Sequence, residues 1–167
     1  MSDQLVIDTL DFVCNRGSLQ GNIPLVGLER LRSYLADTAG ELTYLISGQL
    51  DRHSRPMLKI SVNGNVNLSC QRCLKKMEYG LDLETELLLA RNEDELSRYD
   101  EDIFVDAIYA SSELSIQLLI EDEVILGLPI SPRHQNVQCH VSTKAEIHTT
   151  ATKEHPFTVL ASLKRTH

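Results

Sequence analysis

The stretch Cys70-Gln71-Arg72-Cys73 lies between two long segments in which apolar and polar residues alternate. In the segment before it, the apolar residues share one parity: Leu58, Ile60, Val62, Val66, Leu68 and Cys70. In the segment after it, the apolar residues alternate with acidic ones: Met77, Tyr79, Leu81, Leu83, Leu87 and Leu89. A period of two is typical of a half-buried β-strand. The sequence therefore predicts an antiparallel hairpin of strands 57–70 and 76–90, with the cysteines at its tip.

Asn63-Gly64 offers an alternative within the first of these strands, because Asn-Gly is a strong signal for a two-residue hairpin turn. Such a turn would move Val66 and Leu68 to the face opposite Ile60 and Val62. The parity of the apolar residues continues through Gly64 without a break. We therefore expect one long strand with a bend or bulge at Gly64.

The rest of the chain predicts further strands and a few helices. Alternation over 41–50 gives a strand that completes a three-stranded meander, and short strands are expected at 5–7 and 103–105. Leucines at helical spacing predict an amphipathic helix over 24–36, and a second helix is expected after Ser111 or Ser112, ending at Pro129 or Pro132. We interpret 15–22 as a loop and 91–102 as an acidic surface linker. The fold class is α+β, an antiparallel meander with a long central hairpin packed against a few helices.

The domain organisation follows from length and composition. The chain has 167 residues, enough for one domain with a substantial core. We assign 1–140 to a single α+β domain and 141–155, which is polar and nearly free of large apolar residues, to a flexible linker. Residues 156–167 are expected to form a short C-terminal docking helix or tail. The start of the sequence lacks a signal-peptide pattern, which indicates a cytoplasmic protein without a membrane span.

Charge is distributed unevenly along the chain. The net charge is −8, but residues 82–123 contain fourteen acidic residues and two arginines, a local balance of −12. The remaining residues therefore carry +4, the difference between the two values. The acidic part includes Glu121, Asp122 and Glu123, which we consider either a solvated helix face or a docking surface for a basic partner.

The four cysteines are expected to stay reduced in the cytoplasm. Two residues between Cys70 and Cys73 allow both sulfurs to face one point, as a tetrahedral zinc site requires, and the best further ligands are His134 and Cys139. Reduced cysteines that bind no metal are the alternative. Thioredoxin-like redox chemistry is disfavoured because a strand pattern, not a helix, follows the motif. Cys14 is interpreted as a small buried apolar residue.

Basic residues surround the predicted hairpin tip, namely Arg72, Lys75 and Lys76. Such a tip can contact phosphates. The aromatic content is only 5%, with no tryptophan, so the stacking platform of single-stranded RNA modules is absent from the sequence. Glycine-rich phosphate loops, nucleophile elbows and helical zinc-protease motifs are also missing. No small-molecule substrate is indicated.

Three stretches together resemble one known family: Leu68-Ser69-Cys70-Gln71-Arg72-Cys73-Leu74, Ile120-Glu121-Asp122-Glu123-Val124-Ile125-Leu126-Gly127-Leu128-Pro129, and Pro156-Phe157-Thr158-Val159-Leu160-Ala161-Ser162-Leu163-Lys164. In order and spacing they are similar to the bacterial YceD family, the large ribosomal RNA subunit accumulation proteins. The resemblance implies a role in synthesis, processing or stability of 23S rRNA. Many relatives carry more cysteines after the proline-rich turn, where this chain has only His134 and Cys139.

From these patterns we expect a non-enzymatic ribosome-biogenesis factor. Its acidic part, with Glu121, Asp122 and Glu123, would bind a basic ribosomal protein or assembly factor, while the basic tip lies near 23S rRNA and makes weak or indirect contact with it. The first alternative is a metal-dependent nuclease acting on rRNA precursors through clustered carboxylates. The second is a zinc-binding structural module unrelated to RNA.

Overall fold

The computed structural model describes residues 5–102, 105–135 and 139. The elements of this part, in chain order, are β1 (Val6–Ile7), α1 (Thr9–Cys14), β2 (Ser18–Pro24), β3 (Glu41–Leu50), β4 (Pro56–Ser69), β5 (Lys76–Ala90), α2 (Glu93–Asp100), β6 (Asp106–Tyr109), β7 (Leu114–Ser115) and α3 (Ile116–Gly127). Two short 3₁₀ segments, Leu25–Gly27 and Leu31–Tyr34, connect β2 to β3.

Strands β2 to β6 form a five-stranded sheet in the order of the sequence. All neighbours are antiparallel except β5 and β6, which pair in parallel from Leu87 with Asp106 to Ala90 with Tyr109. A small second sheet joins β1 to β7. The described part of the chain thus confirms the α+β class and the antiparallel meander.

The predicted hairpin is the centre of the sheet. Strands β3, β4 and β5 agree with the predicted 41–50, 57–70 and 76–90 to within a residue at each end. Strands β4 and β5 pair without interruption from Met57 with Leu88 to Ser69 with Lys76. The two cysteines at 70 and 73 therefore lie at the tip, as predicted.

Gly64 lies inside β4, and the single long strand is confirmed. The pairing register passes through it on both sides with no extra residue, so the expected bulge is absent. Its φ is +155°, and a Cβ atom built there would lie 2.7 Å from Leu42 Cδ2 and 3.0 Å from the Glu41 carbonyl oxygen. Glycine is favoured here because a side chain would crowd Leu42 and the Glu41 carbonyl at a φ that other residues rarely adopt.

The sheet buries one face and exposes the other, as the alternation of period two dictates. The buried face packs against α1, α3 and the 3₁₀ segments through an apolar set that includes Leu42, Ile46, Leu58, Ile60, Val62, Val66, Leu81 and Leu89. Burying each of these side chains stabilises the fold by roughly 1.5–3 kcal/mol before entropy costs. The open face is polar, with Asn22, Thr43, Asn63 and Asp82 lying side by side across the strands.

The predicted helix over 24–36 is wrong. Its leucines Leu25, Leu28 and Leu31 are fully buried, but Leu25 and Leu31 begin two separate 3₁₀ segments and Leu28 lies between them. Leu28 has an extended backbone with ψ of 90°. The backbone N–H groups of Arg30 and Leu31 donate to the Glu121 carboxylate instead of to helix carbonyls, so an α-helix cannot continue here.

Two predicted loops are regular elements. The segment 15–22 contains most of β2, an edge strand whose Leu19 and Ile23 face the core with few other apolar residues to mark it. The acidic segment 91–102 contains α2, which is capped by the Asn92 side chain and has three acids in its first turn, where they favour the helix dipole. Cys14, expected to be buried, is exposed.

Other boundaries also differ from the predictions. The strand expected at 103–105 begins at Asp106, while 103 and 104 lie outside the described residues. Helix α3 has Ser115 as its N-cap rather than Ser111 or Ser112, and it ends at Gly127, before Pro129. The predicted linker 141–155 and C-terminal helix 156–167 also lie outside the described residues. None of the described helices has the length and apolar character needed to span a membrane.

Candidate metal centre

The hairpin tip is a tight turn that aims two sulfurs at one point. Cys70 directly follows β4, its N–H donates to the Lys75 carbonyl (3.0 Å), and its carbonyl accepts from the Leu74 N–H (2.9 Å). Leu74 takes a left-handed backbone, with φ of +59°, to close the turn. The Arg72 N–H points at the Cys70 sulfur at 3.4 Å. Backbone N–H groups directed at a sulfur stabilise its thiolate form.

The loop after α3 brings the remaining ligands to this tip. The Gln71 N–H donates to the Pro132 carbonyl at 2.8 Å, which fixes the segment carrying His134 beside the turn. Cys70 and Cys139 are buried, whereas Cys73 and His134 are partly exposed. All four predicted ligands, Cys70, Cys73, His134 and Cys139, offer an atom within 4.8 Å of one another. The structure therefore assembles the predicted group.

The distances within this Cys₃His cluster fit a tetrahedral ion. The Cys70 and Cys139 sulfurs are 3.5 Å apart, and His134 Nδ1 lies 3.5 Å from the Cys73 sulfur and 3.6 Å from that of Cys139. Bond lengths of zinc to sulfur and nitrogen imply ligand separations of about 3.8 Å between sulfurs and about 3.5 Å between sulfur and nitrogen in a tetrahedron. A disulfide would need about 2.05 Å, so the sulfurs are arranged as ligands rather than as a covalent pair.

The thiols have opposed pKa shifts. Burial alone would raise the pKa of Cys70, but N–H groups of Cys73, His134 and Arg72 donate to its sulfur and the net effect lowers the pKa to about 5. Burial, together with hydrogen bonds and negative charge from Cys73 and Cys70, raises the pKa of Cys139 to about 11. The cluster therefore favours the thiolate of Cys70 and disfavours that of Cys139 unless a cation neutralises the charge.

These donors suit zinc, and four protein ligands would fill its tetrahedral coordination. A closed site supplies folding energy and rigidity, whereas catalytic zinc keeps a position for water. If zinc binds, the Cys₃His group would lock the hairpin tip to the loop after α3. The chemistry available is structural.

The basic residues predicted at the tip are exposed, but one of them, Lys76, is neutralised by an ion pair. Lys76 forms an ion pair with Asp37 (Nζ to Oδ2, 2.6 Å), which lowers the pKa of Asp37 to about 2. Arg72 and Lys75 have no ion-pair partner among the described residues. Arg133, next to the ligand His134, is also exposed, and sequence reasoning missed it. Its position one residue before a candidate ligand was the available signal.

The acidic triplet is split by the fold. Glu121 is only 2% exposed, and its carboxylate accepts hydrogen bonds from the backbone N–H groups of Arg30 and Leu31 and from the Arg30 side chain. Glu123 is 9% exposed, whereas the Asp122 side chain is half-exposed and paired with Arg30. The expectation that Glu121 docks a partner needs correction, because the core already uses its carboxylate.

The nuclease alternative predicted clustered carboxylates. Over residues 5–102, 105–135 and 139, the Cys₃His group is the one cluster of three or more residues with a metal-binding arrangement. Glu121 points toward Arg30 rather than into an open cleft.

The fold and cluster define a class of protein: an antiparallel sheet whose hairpin tip carries a candidate structural zinc site. The chain belongs to the YceD family, since the family's sequence model, described as large ribosomal RNA subunit accumulation protein YceD, matches residues 58–164. A relative from Haemophilus influenzae, named large ribosomal RNA subunit accumulation protein YceD, is 27% identical over 166 residues, which cover 96% of this chain and 95% of the relative. No solved structure matches the chain.

Proposed function

We propose that this protein supports the accumulation of large-subunit ribosomal RNA as a non-enzymatic binding factor in the cytoplasm. The observation that carries the role is membership of the YceD family over residues 58–164, a range that contains the whole Cys₃His cluster. The relative from Haemophilus influenzae carries the same description over nearly its whole length. Production, processing or protection of 23S rRNA are the steps at which such a factor acts.

The candidate metal centre supports binding rather than catalysis. Its four protein ligands would fill the coordination of a tetrahedral ion, which favours a structural ion that shapes a surface. The surface so shaped carries Arg72, Lys75 and Arg133, three exposed cations around one rigid tip. Fixed cations of this kind attract phosphate groups without reading base sequence. The tip is therefore our candidate for weak or indirect contact with 23S rRNA.

The acidic surface supports a second contact, with a basic ribosomal protein or assembly factor. Asp82, Glu84 and Glu86 lie on the exposed face of β5, and Glu93 and Asp94 lie on α2. Lys59 compensates only part of this charge, at 3.7 Å from Glu84 and 3.8 Å from Glu86. Acidic surfaces speed encounters with cationic proteins and keep those proteins away from other anions.

The test is the ratio of large-subunit to small-subunit rRNA in cells whose own copy of the gene is deleted. Wild-type protein should restore the ratio, and the charge reversal Arg72→Glu with Lys75→Glu should not. The matched control, Arg52→Glu with Arg98→Glu, changes two exposed cations away from the tip and should restore it. Equal restoration by both double variants would contradict the role of the tip.

The nuclease alternative is tested on purified protein. Precursor rRNA incubated with the protein and Mg²⁺ should remain intact. Cleavage that disappears in Glu123→Gln would establish the enzyme instead.

Affinity capture from cells, with and without nuclease treatment, separates a partner held by protein contacts from one held through RNA. If zinc binds but the rRNA ratio is independent of the protein, the unrelated zinc module is the better description.

A further inference from the structure

Among the described residues, no strand pairs with a long stretch of one edge of β5. Strand β5 pairs with β4 over its length, but β6 pairs with it only from Leu87 to Ala90. Within the described part of the chain, no hydrogen bond from outside β4 reaches the backbone of residues 77–86. In an antiparallel pair, every second residue directs its N–H and C=O away from the partner. Such a row of free groups is a template for one more strand.

A groove runs beside this edge. Next to residues 76–80 it has a volume of about 810 Å³, and the loop 129–135 forms the opposite wall. Next to residues 82–87 it continues with about 760 Å³, and β6 and the second half of α3 form the opposite wall. The two parts together follow the unpaired length of β5. Neighbouring strands lie about 4.8 Å apart, so an extended chain in this groove would be at hydrogen-bonding distance from β5.

The lining of the second part specifies the occupant. It includes Asp82, Glu84, Asp106, Asp122 and Glu123, and it contains no lysine or arginine. It also includes the apolar side chains Leu83 and Leu126, of which Leu126 is 80% exposed. An extended segment in which cationic and apolar residues alternate would present one set to the carboxylates and the other to these leucines.

A second copy of this chain is a poor occupant. Pairing β5 with β5 of another copy would bring Asp82 and Glu84 near the same residues of that copy, and like charges across strands are destabilising. Nor does a neutral peptide gain from the acidic lining. The occupant that complements both the hydrogen-bond edge and the charge is a cationic segment of a different protein.

We propose that the free edge of β5 binds an extended basic segment of a partner protein by strand addition. The inference rests on the proposed function in identifying the contact between the acidic surface and a basic partner. It goes further in assigning the contact to the edge at residues 82–86, where the groove is acidic, and in requiring backbone hydrogen bonds in addition to charge. It also predicts that the partner segment is extended when bound, because a sheet edge pairs only with an extended chain.

The probe is a synthetic ten-residue peptide of alternating lysine and valine, titrated against the full chain. Binding should protect amides within 77–86 from hydrogen exchange. Two further peptides carry N-methyl groups on either the lysine or the valine residues. Only one of these two residue sets donates to the strand, so one methylated peptide should lose about tenfold or more in affinity while the other retains it. Equal binding by both methylated peptides would overturn strand addition and show that charge attraction alone accounts for the binding.

The protein side has a matched pair of variants. Asp82→Lys, in the groove, should weaken the parent peptide about tenfold, whereas Glu29→Lys, exposed between the two 3₁₀ segments, should change the affinity less than about twofold. If the amides of 77–86 that point away from β4 are already protected in the free chain, the proposal is overturned, and the dependence of that protection on concentration would separate a second copy from the chain's own segment. The assay contains no rRNA, so its failure leaves the rRNA ratio as an independent result.

Discussion

Glu121 of α3 holds Arg30 by its backbone and its side chain together. One carboxylate oxygen accepts the N–H groups of Arg30 (2.6 Å) and Leu31 (3.0 Å), and the other accepts Arg30 Nε (3.0 Å). The Glu121 side chain is 3% exposed, so these bonds are shielded from water. The carboxylate fixes the segment between β2 and β3 against the helix that covers the sheet.

Replacing Glu121 with alanine should therefore destabilise the fold. The backbone N–H groups of Arg30 and Leu31 would lose a charged acceptor, and we expect a loss of about 2–4 kcal/mol in the free energy of unfolding. The matched control is Asp122→Ala, which removes a half-exposed carboxylate paired with the same arginine and should cost less than about 1 kcal/mol. Urea denaturation of both variants measures the difference. Equal losses would contradict the internal role of Glu121.

The same carboxylate shows why the sequence could not predict this region. Glu121-Asp122-Glu123 reads as a solvated face, because nothing local distinguishes a buried glutamate from its neighbours. Its partners lie about ninety positions earlier in the chain, and the same carboxylate is the reason that 24–36 is not a helix. Strands β3, β4 and β5 were predictable because alternation of period two records burial residue by residue. The conformation of 24–36 and the burial of Glu121 depend on tertiary contacts, which the local pattern does not record.

The candidate metal centre was predictable for a different reason. Cys70 and Cys73 fix half of the group by spacing alone, and cysteine and histidine are few enough that His134 and Cys139 were the natural complement. Their close approach depends on the Gln71 bond to Pro132, which the sequence does not reveal. The exposed position of Cys14 was missed because the six-residue helix that it ends is too short for its apolar spacing to indicate a face.

Gly64→Ala should be destabilising although it adds a single methyl group. The added Cβ would lie 2.7 Å from Leu42 Cδ2, at a φ that alanine rarely adopts. Strain of this kind costs about 1–3 kcal/mol. The control is Gly80→Ala in the paired strand, where the nearest atom beyond the chain neighbours is 3.5 Å away and we expect a change below about 0.5 kcal/mol. Thermal unfolding compares the two, and a tolerated Gly64→Ala would show that β3 can shift.

The Asp37 carboxylate should make the stability of the fold depend on pH in the acidic range. Its hydrogen bonds with Lys76, Asn67 and the Ala39 N–H lower its pKa to about 2, below its ordinary value in the unfolded chain. Because the pKa is lower in the folded chain, the Asp37 carboxylate stabilises the folded state at pH values above its pKa in the unfolded chain, about 3.9. This contribution disappears as the pH falls through about 2. Asp37→Asn should thus be less stable than wild type at neutral pH, and the gap should close between about pH 4 and pH 2. Urea midpoints across that range measure it, and a constant gap would refute the assignment.

Zinc should bind once per chain and stabilise the hairpin tip. Cys70→Ser removes the most buried sulfur of the Cys₃His cluster and should abolish stoichiometric zinc, because a three-ligand remainder is an open and weaker site. Cys14→Ser removes an exposed cysteine outside the cluster and should retain the metal. Elemental analysis of purified protein measures the content, and a chelator should lower the Tm of wild type and of Cys14→Ser but not that of Cys70→Ser. Wild-type protein that contains no zinc and has the same Tm with added zinc or chelator would show that the cysteines hold the tip as reduced thiols.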